Sequence, residues 1–216
     1  NNTVWTLRSY EVSPYQHSFT LSPLDIAALQ NIYGPSTKAR TSNDIYAISQ
    51  GAPNFIWDGG GTDTLDASAL TQGVTLYMTP GYWGYVGNAR ASTITSSGQV
   101  TVNFGTVLEN LIGSAYADSL YGNEINNTIT GGGGNDSIDG GRGIDIASFS
   151  GASKDYKISS GASSTLVTGD ATRDGTDTLL NVERVKFSDK SIAIDLNGNA
   201  GITAKVIGAV LGKTQV

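Results

Sequence analysis

GSAYADSLY (113–121), GNEINNTIT (122–130), GGGGNDSID (131–139) and GGRGIDIAS (140–148) follow one another without a break, and laid in register they repeat every nine residues. Glycine recurs at 113, 122, 131 and 140, an Asp or Asn at 118, 127, 136 and 145, and an apolar residue at 120, 129, 138 and 147. The pattern is GGxGxDxUx, the nonapeptide of a parallel β-helix that holds calcium. Its first six residues make a glycine turn and its last three a short strand with the central side chain inward. Two nonapeptides close one coil, so each turn stacks on the turn two repeats away.

Stacked turns present backbone carbonyls and one carboxylate each, the six to eight oxygens a hard cation such as Ca²⁺ requires. Asp118 therefore pairs with Asp136 on one edge and Asn127 with Asp145 on the other, with turn carbonyls, those of Gly131, Gly133, Gly140 and Arg142 among them, completing the sites. Over 113–148 five acids face the single base Arg142, a charge of -4 that repels itself without a cation. The first two repeats lack several glycines and Asn127 brings no charge, so its edge is expected to bind more weakly.

Composition fits the turns. Glycine is 28 of 216 residues, about 13% against a usual 7%, while charged residues are 15% against about 25%. The net charge of -6 removes the electrostatic footprint of a nucleic-acid binder. Without cysteine, disulfides, thiolate metal sites and a cysteine nucleophile are excluded. No run of 18 apolar residues marks a transmembrane segment.

Outward from the repeats, residues 41 onward read as short β-rich runs: NDIYAI (43–48), VTLYM (74–78), STITSS (92–97) and VTVNF (100–104). Upstream, Ser22, Pro23 and Gly34 bracket a helix over 23–33 whose buried stripe would be Leu24, Ala28, Leu29 and Ile32. At the far end, 201–216 places Ile202, Val206, Ile207, Val210 and Leu211 at helical spacing. The expected architecture is mostly β: a parallel β-roll, sandwich-like, between a short N-terminal helix and a C-terminal helix. Its parts are 1–39, which holds the 23–33 helix and is expected to be the remnant of a preceding domain, the roll domain 40–196 with repeats at 113–148, and the helical segment 197–216, which could open a further module.

With these residues in place, the chain resembles the C-terminal part of serralysin-type secreted metalloproteases of the RTX group. LSPLDIAALQNIYG (21–34) is similar to the helix closing that family's catalytic domain, ARTSNDIY (39–46) to the lead-in of its roll, WDGGGTDTLDAS (57–68) to a calcium loop and TVLENLIGSAYAD (106–118) to the start of the repeats. The resemblance implies a further calcium cluster. Arg40, Ser42 and Asp44 would give oxygens from one strand, and Asp58, Gly60 and Asp63 from the loop. A neighbouring ion would share Asp63 and add the Gly61 and Val107 carbonyls and the Glu109 carboxylate. GTDTL occurs at 61–65 and again at 175–179. From this echo Asp174, Asp177 and Glu183 form a second loop, leaving calcium binding and capping of the roll both open. DLNGNAG (195–201) fails as an EF-hand, because Ala200 stands at the required glycine and Val206 at the closing Glu.

TLRSY (6–10) is similar to the family's Met-turn, but Arg8 stands in the methionine place. Metzincins bind zinc through HExxHxxGxxH, and the only histidine is His17, so the residues cannot assemble that Zn²⁺ site and this chain alone is not expected to be a peptidase. The expected function is a calcium-binding module of a secreted, extracellular bacterial protein. It would fold in external calcium after type I secretion, with the calcium ions, the secretion machinery and an upstream domain as partners. Two alternatives stand beside it: the non-catalytic half of an active zinc endopeptidase, and a structural or adhesive module using Tyr77, Tyr82, Trp83 and Tyr85.

Overall fold

A computed structural model of the chain describes residues 40–195 apart from 162, 171 and 172, together with 29, 32–34, 36 and 38. In chain order its strands are β1 (Ile45–Ala47), β2 (Asn54–Ile56), β3 (Thr64–Asp66), β4 (Val74–Tyr77), β5 (Trp83–Val86), β6 (Gln99–Val102), β7 (Asn110–Ile112) and β8 (Ser119–Tyr121). There follow β9 (Thr128–Thr130), β10 (Ser137–Asp139), β11 (Ile146–Ser148), β12 (Lys157–Ser160), β13 (Thr165–Thr168), β14 (Thr176–Leu180), β15 (Arg184–Lys186) and β16 (Ser191–Ala193).

The strands fall into two sheets, alternating between them from β7 to β11. One has the order β1-β3-β7-β9-β11-β15-β16, the other β12-β13-β14-β10-β8-β4-β5-β6-β2. The eighteen-residue coil sets the register: Leu111 lies beside Ile129 and Ile129 beside Ala147 in the first sheet, and Leu120 beside Ile138 in the second. Parallel stacking runs past the repeats on both sides. It begins with β1 on β3 and on to β7 in the first sheet and with β4 on β8 in the second, and it continues into β14 and β15.

Three-residue strands succeed here because each needs only one inward side chain. Leu65, Leu111, Ile129, Ala147 and Val185 from one sheet, and Leu76, Leu120, Ile138 and Leu179 from the other, form the layer between the sheets. All are buried. Leu120→Ala, flanked on its own sheet by Leu76 and Ile138, is expected to cost about 2–5 kcal/mol, measured by urea unfolding in saturating calcium.

Two expectations are corrected. STITSS (92–97) is turn rather than strand, held by the Ser96 amide on the Thr93 carbonyl and by the Thr93 and Ser96 hydroxyls at 2.9 Å. Its hydroxyl-rich side chains bond locally and compete with a ladder. At the other end, Leu29, Ile32 and Tyr33 have helical backbone, but Leu29 and Ile32 of the expected buried stripe are 37% and 67% exposed, since no described element covers that face. The rest of the 23–33 helix, the stretch at 6–10, His17 and the expected C-terminal helix lie outside the described residues. Among the described residues no helix is long and apolar enough to cross a membrane.

Candidate metal centre

The repeating acids stand where each strand begins, so the coil that aligns the strands also aligns them. On one edge the Val74 amide donates to Asp118 Oδ1 at 2.7 Å, the Asp118 amide to Asp136 Oδ1 at 2.9 Å, and the Asp136 amide to Asp177 Oδ1 at 2.9 Å. On the other, the Asp44 amide donates to Asp63 Oδ1 at 2.8 Å and the Asp63 amide to Glu109 Oε2 at 2.8 Å. Further along that edge the Asn127 amide donates to Asp145 Oδ1 and the Asp145 amide to Glu183 Oε2, both at 2.7 Å. Each carboxylate thus fastens one coil to the next with one oxygen.

The second oxygen is decisive. Asp63 Oδ2, Asp136 Oδ2 and Asp145 Oδ2 are buried without a hydrogen-bond partner, on side chains no more than 2% exposed. A buried carboxylate oxygen left unpaired costs several kcal/mol, and a bound cation removes that cost. Burial, together with the Asp177 charge, pushes the Asp136 carboxyl from 3.8 up to about 8. Asp145 is pushed up to about 7 by burial and by Glu183, and Asp177 to about 7 by burial and by Asp174. Asp63 is raised by burial and by the neighbouring Asp58 and Glu109 charges.

At the head of the roll, carboxylate oxygens of Asp44, Asp58 and Asp63 lie within 4.8 Å of one another. Asp58 is positioned by the Tyr46 hydroxyl at 2.5 Å on Oδ2 and the Gly60 amide at 2.6 Å on Oδ1. Gly61 has to be glycine because a Cβ there would lie 2.2 Å from the Ser42 carbonyl oxygen, which brings Ser42 against the loop as expected. The Arg40 carbonyl accepts from the Gly59 amide, and its guanidinium lies over Tyr46 and Trp57. Glu109 joins this cluster through Asp63, while Val107 beside it is half exposed.

Of the expected trio Asp174, Asp177 and Glu183, the first two line one cleft and Glu183 stands on the other edge. Asp177 extends the edge of Asp136 and Glu183 the edge of Asp145. Asp174 accepts from the Tyr156 hydroxyl at 2.5 Å and from Arg173 Nε at 2.7 Å. It lines, with 131–134, Arg173 and Asp177, a cleft of about 500 Å³. The Arg142 side chain points to solvent, 4.0 Å from Glu124. Sequence reading missed Tyr46 and Tyr156, which seat Asp58 and Asp174 alike; the doubled GTDTL was the one signal that the two places correspond. The aromatic run packs on the outside of the larger sheet, with Tyr77 stacked on Tyr121 at 4.5 Å and Trp83 bonded to Gln99.

Comparison with known proteins agrees with this geometry. The family model of the RTX calcium-binding nonapeptide repeat matches residues 110–147 in four copies. Serralysin G of Dickeya chrysanthemi is 32% identical over 116 residues, 47% of this chain and 23% of that protein. Metalloprotease AprA of Pseudomonas entomophila (strain L48) is 30% identical over 115 residues, 47% and 22% respectively, and a serralysin of Proteus mirabilis is 28% identical over 126 residues, 51% and 24%. The match spans less than a quarter of the length of each of these relatives. Residues 110–147 match calcium-binding RTX repeats, and the β-roll around them resembles part of the serralysins.

Proposed function

We propose that this chain is a calcium-dependent folding module of a secreted protein, supporting a domain that lies upstream of it. The observation that carries the reading is the set of three buried carboxylate oxygens without partners, at Asp63, Asp136 and Asp145. Asp44, Asp58 and Glu109 would join Asp63 at the head of the roll, Asp174 and Asp177 would flank Asp136, and Glu183 would flank Asp145. Carbonyls of the turns, those of Arg40, Ser42, Gly60, Gly61, Val107, Gly131, Gly133, Gly140 and Arg142 among them, would complete the oxygen shells. The roll would occupy 40–196, with 1–39 belonging to the upstream domain and 197–216 to a following segment.

Calcium supplies charge neutralisation inside the stack, and linkage turns that into a switch. An ion that binds only the folded state stabilises it by RT ln(1 + [L]/Kd), about 2.7 kcal/mol at a hundredfold excess. Sites of roughly 10⁻⁴ to 10⁻³ M affinity are empty in a cell and filled outside it. Such a chain would cross a type I secretion system unfolded and fold on arrival. The likeness to serralysins and to a metalloprotease supports a second reading, in which the upstream domain is a zinc endopeptidase.

Elemental analysis of the purified chain, after dialysis against trace calcium and zinc, tests the proposal. Several calcium ions per chain and no zinc are expected. Near-zero calcium would overturn the reading, and stoichiometric zinc would overturn its metal assignment.

A further inference from the structure

The four repeat turns differ in one respect that their shared period conceals. In the first, the Ser114 amide donates to Asp118 Oδ2 at 2.6 Å and the Ser114 hydroxyl to Asp118 Oδ1 at 2.9 Å, so both oxygens are taken. In the second, the Asn123 amide donates to Asn127 Oδ1 at 2.8 Å. The side-chain amides of Asn123 and Asn127 then both donate to the Leu108 carbonyl, at 2.8 and 3.1 Å. In the third and fourth, the residues four before Asp136 and Asp145 are Gly132 and Gly141, at φ of 101° and 89°. There the second carboxylate oxygen has no donor.

The cause is local. Ser114 and Asn123 keep negative φ, as side-chain-bearing residues prefer, and their amides close onto the carboxyl or carboxamide four residues on. Glycine at the same place adopts positive φ freely, and the amide no longer reaches. Asp136 Oδ2 then lies over its own turn, 2.2 Å from where a Cβ on Gly131 would be.

We infer that the second residue of each nonapeptide decides whether its turn takes a cation: Ser114 and Asn123 close the turns of Asp118 and Asn127 by hydrogen bonds, while Gly132 and Gly141 leave those of Asp136 and Asp145 open to calcium. This rests on the calcium-binding reading above and divides its sites. A cation needs lone pairs. In the first turn three donors, counting the Val74 amide, occupy three of the carboxylate's four or so lone pairs, and in the second Asn127 brings no charge and its side-chain amide is turned, with that of Asn123, to the Leu108 carbonyl. The roll therefore has a stretch at its middle whose turns close by hydrogen bonds without a cation, with open turns on both sides.

Calcium per chain, measured by elemental analysis on the full chain with circular dichroism as the check on folding, separates the cases. Asp118→Asn, which keeps one acceptor oxygen for either the Ser114 or the Val74 amide, is expected to retain the wild-type number of ions. Asp136→Asn and Asp145→Asn are each expected to lose one. The double variant Asn123→Gly/Asn127→Asp, which rebuilds an open turn, is expected to gain one. An Asp118→Asn chain that loses as much calcium as Asp136→Asn, or a folded double variant that gains none, overturns the inference alone. A wild-type chain that binds no calcium overturns the proposed function with it.

Discussion

Chelating calcium at pH 8 is expected to unfold the roll, seen as loss of the β signal in circular dichroism and of a cooperative thermal transition. Three open carboxylates filled at a hundredfold excess of calcium contribute about 8 kcal/mol together, as much as the whole stability of an ordinary domain, about 5–15 kcal/mol. The sign of the pH dependence follows from the raised carboxyls. In the metal-free fold Asp136 releases its proton near pH 8 and Asp145 and Asp177 near 7, against 3.8 for an ordinary Asp. The folded state thus binds more protons than the unfolded one between those values, and its stability falls as pH rises through them. Their contribution is fully present below about pH 4 and gone above about 8. With chelator present, the chain at pH 5 should keep more β structure than at pH 8, and apparent calcium affinity should rise over the same interval as protons leave. A metal-free chain fully folded at pH 8 would contradict both statements.

Gly132→Ala should be the most damaging substitution of a single atom. The position holds φ of 101°, and a Cβ there would sit 1.9 Å from the Ser114 carbonyl oxygen in the coil beneath. Neither partner can yield cheaply, because that carbonyl already accepts from the Gly133 amide at 3.0 Å. Strained backbone alone costs about 1–3 kcal/mol, and separating two coils adds lost ladder bonds, so about 3 kcal/mol or more is expected in thermal or urea unfolding with calcium saturating. Ser114→Ala, in the turn below, removes the hydroxyl that donates to Asp118 and accepts from the Tyr116 amide, and should cost about 2 kcal/mol.

The repeats were legible because one number, nine, fixes strand length, turn length and inward residue together. Leu120, Ile129, Ile138 and Ala147 all stand where that period puts them. Beyond the repeats the period lapses, and although WDGGGTD (57–63) still marked the cluster of Asp58 and Asp63, other groupings were not legible. The Asp174, Asp177 and Glu183 trio is compact in sequence, but Asp177 lies at the start of β14, whose remaining residues carry the chain across to Glu183 on the other edge of the roll. The hydroxyls of Tyr46 and Tyr156 reach carboxylates 12 and 18 residues away, distances that no local pattern marks. What distinguishes the repeat turns from one another was written in the second letter of each nonapeptide, yet its meaning emerges only from backbone angles.

The coil stack also has ends. A pile of identical parallel coils exposes at its last rung the same unpaired amides and carbonyls as at every other, an invitation for a second molecule to add on. At the C-terminal end the chain reverses direction first: β13 and β12 run antiparallel beyond β14, and β16 runs antiparallel beyond β15. The outermost strands of that end no longer offer the spacing of the coils within, and Lys157 lies on its border of the larger sheet, so head-to-tail stacking lacks one of its two faces. Calcium-loaded protein should therefore stay free of fibres at concentrations where a bare run of such coils would polymerise end to end.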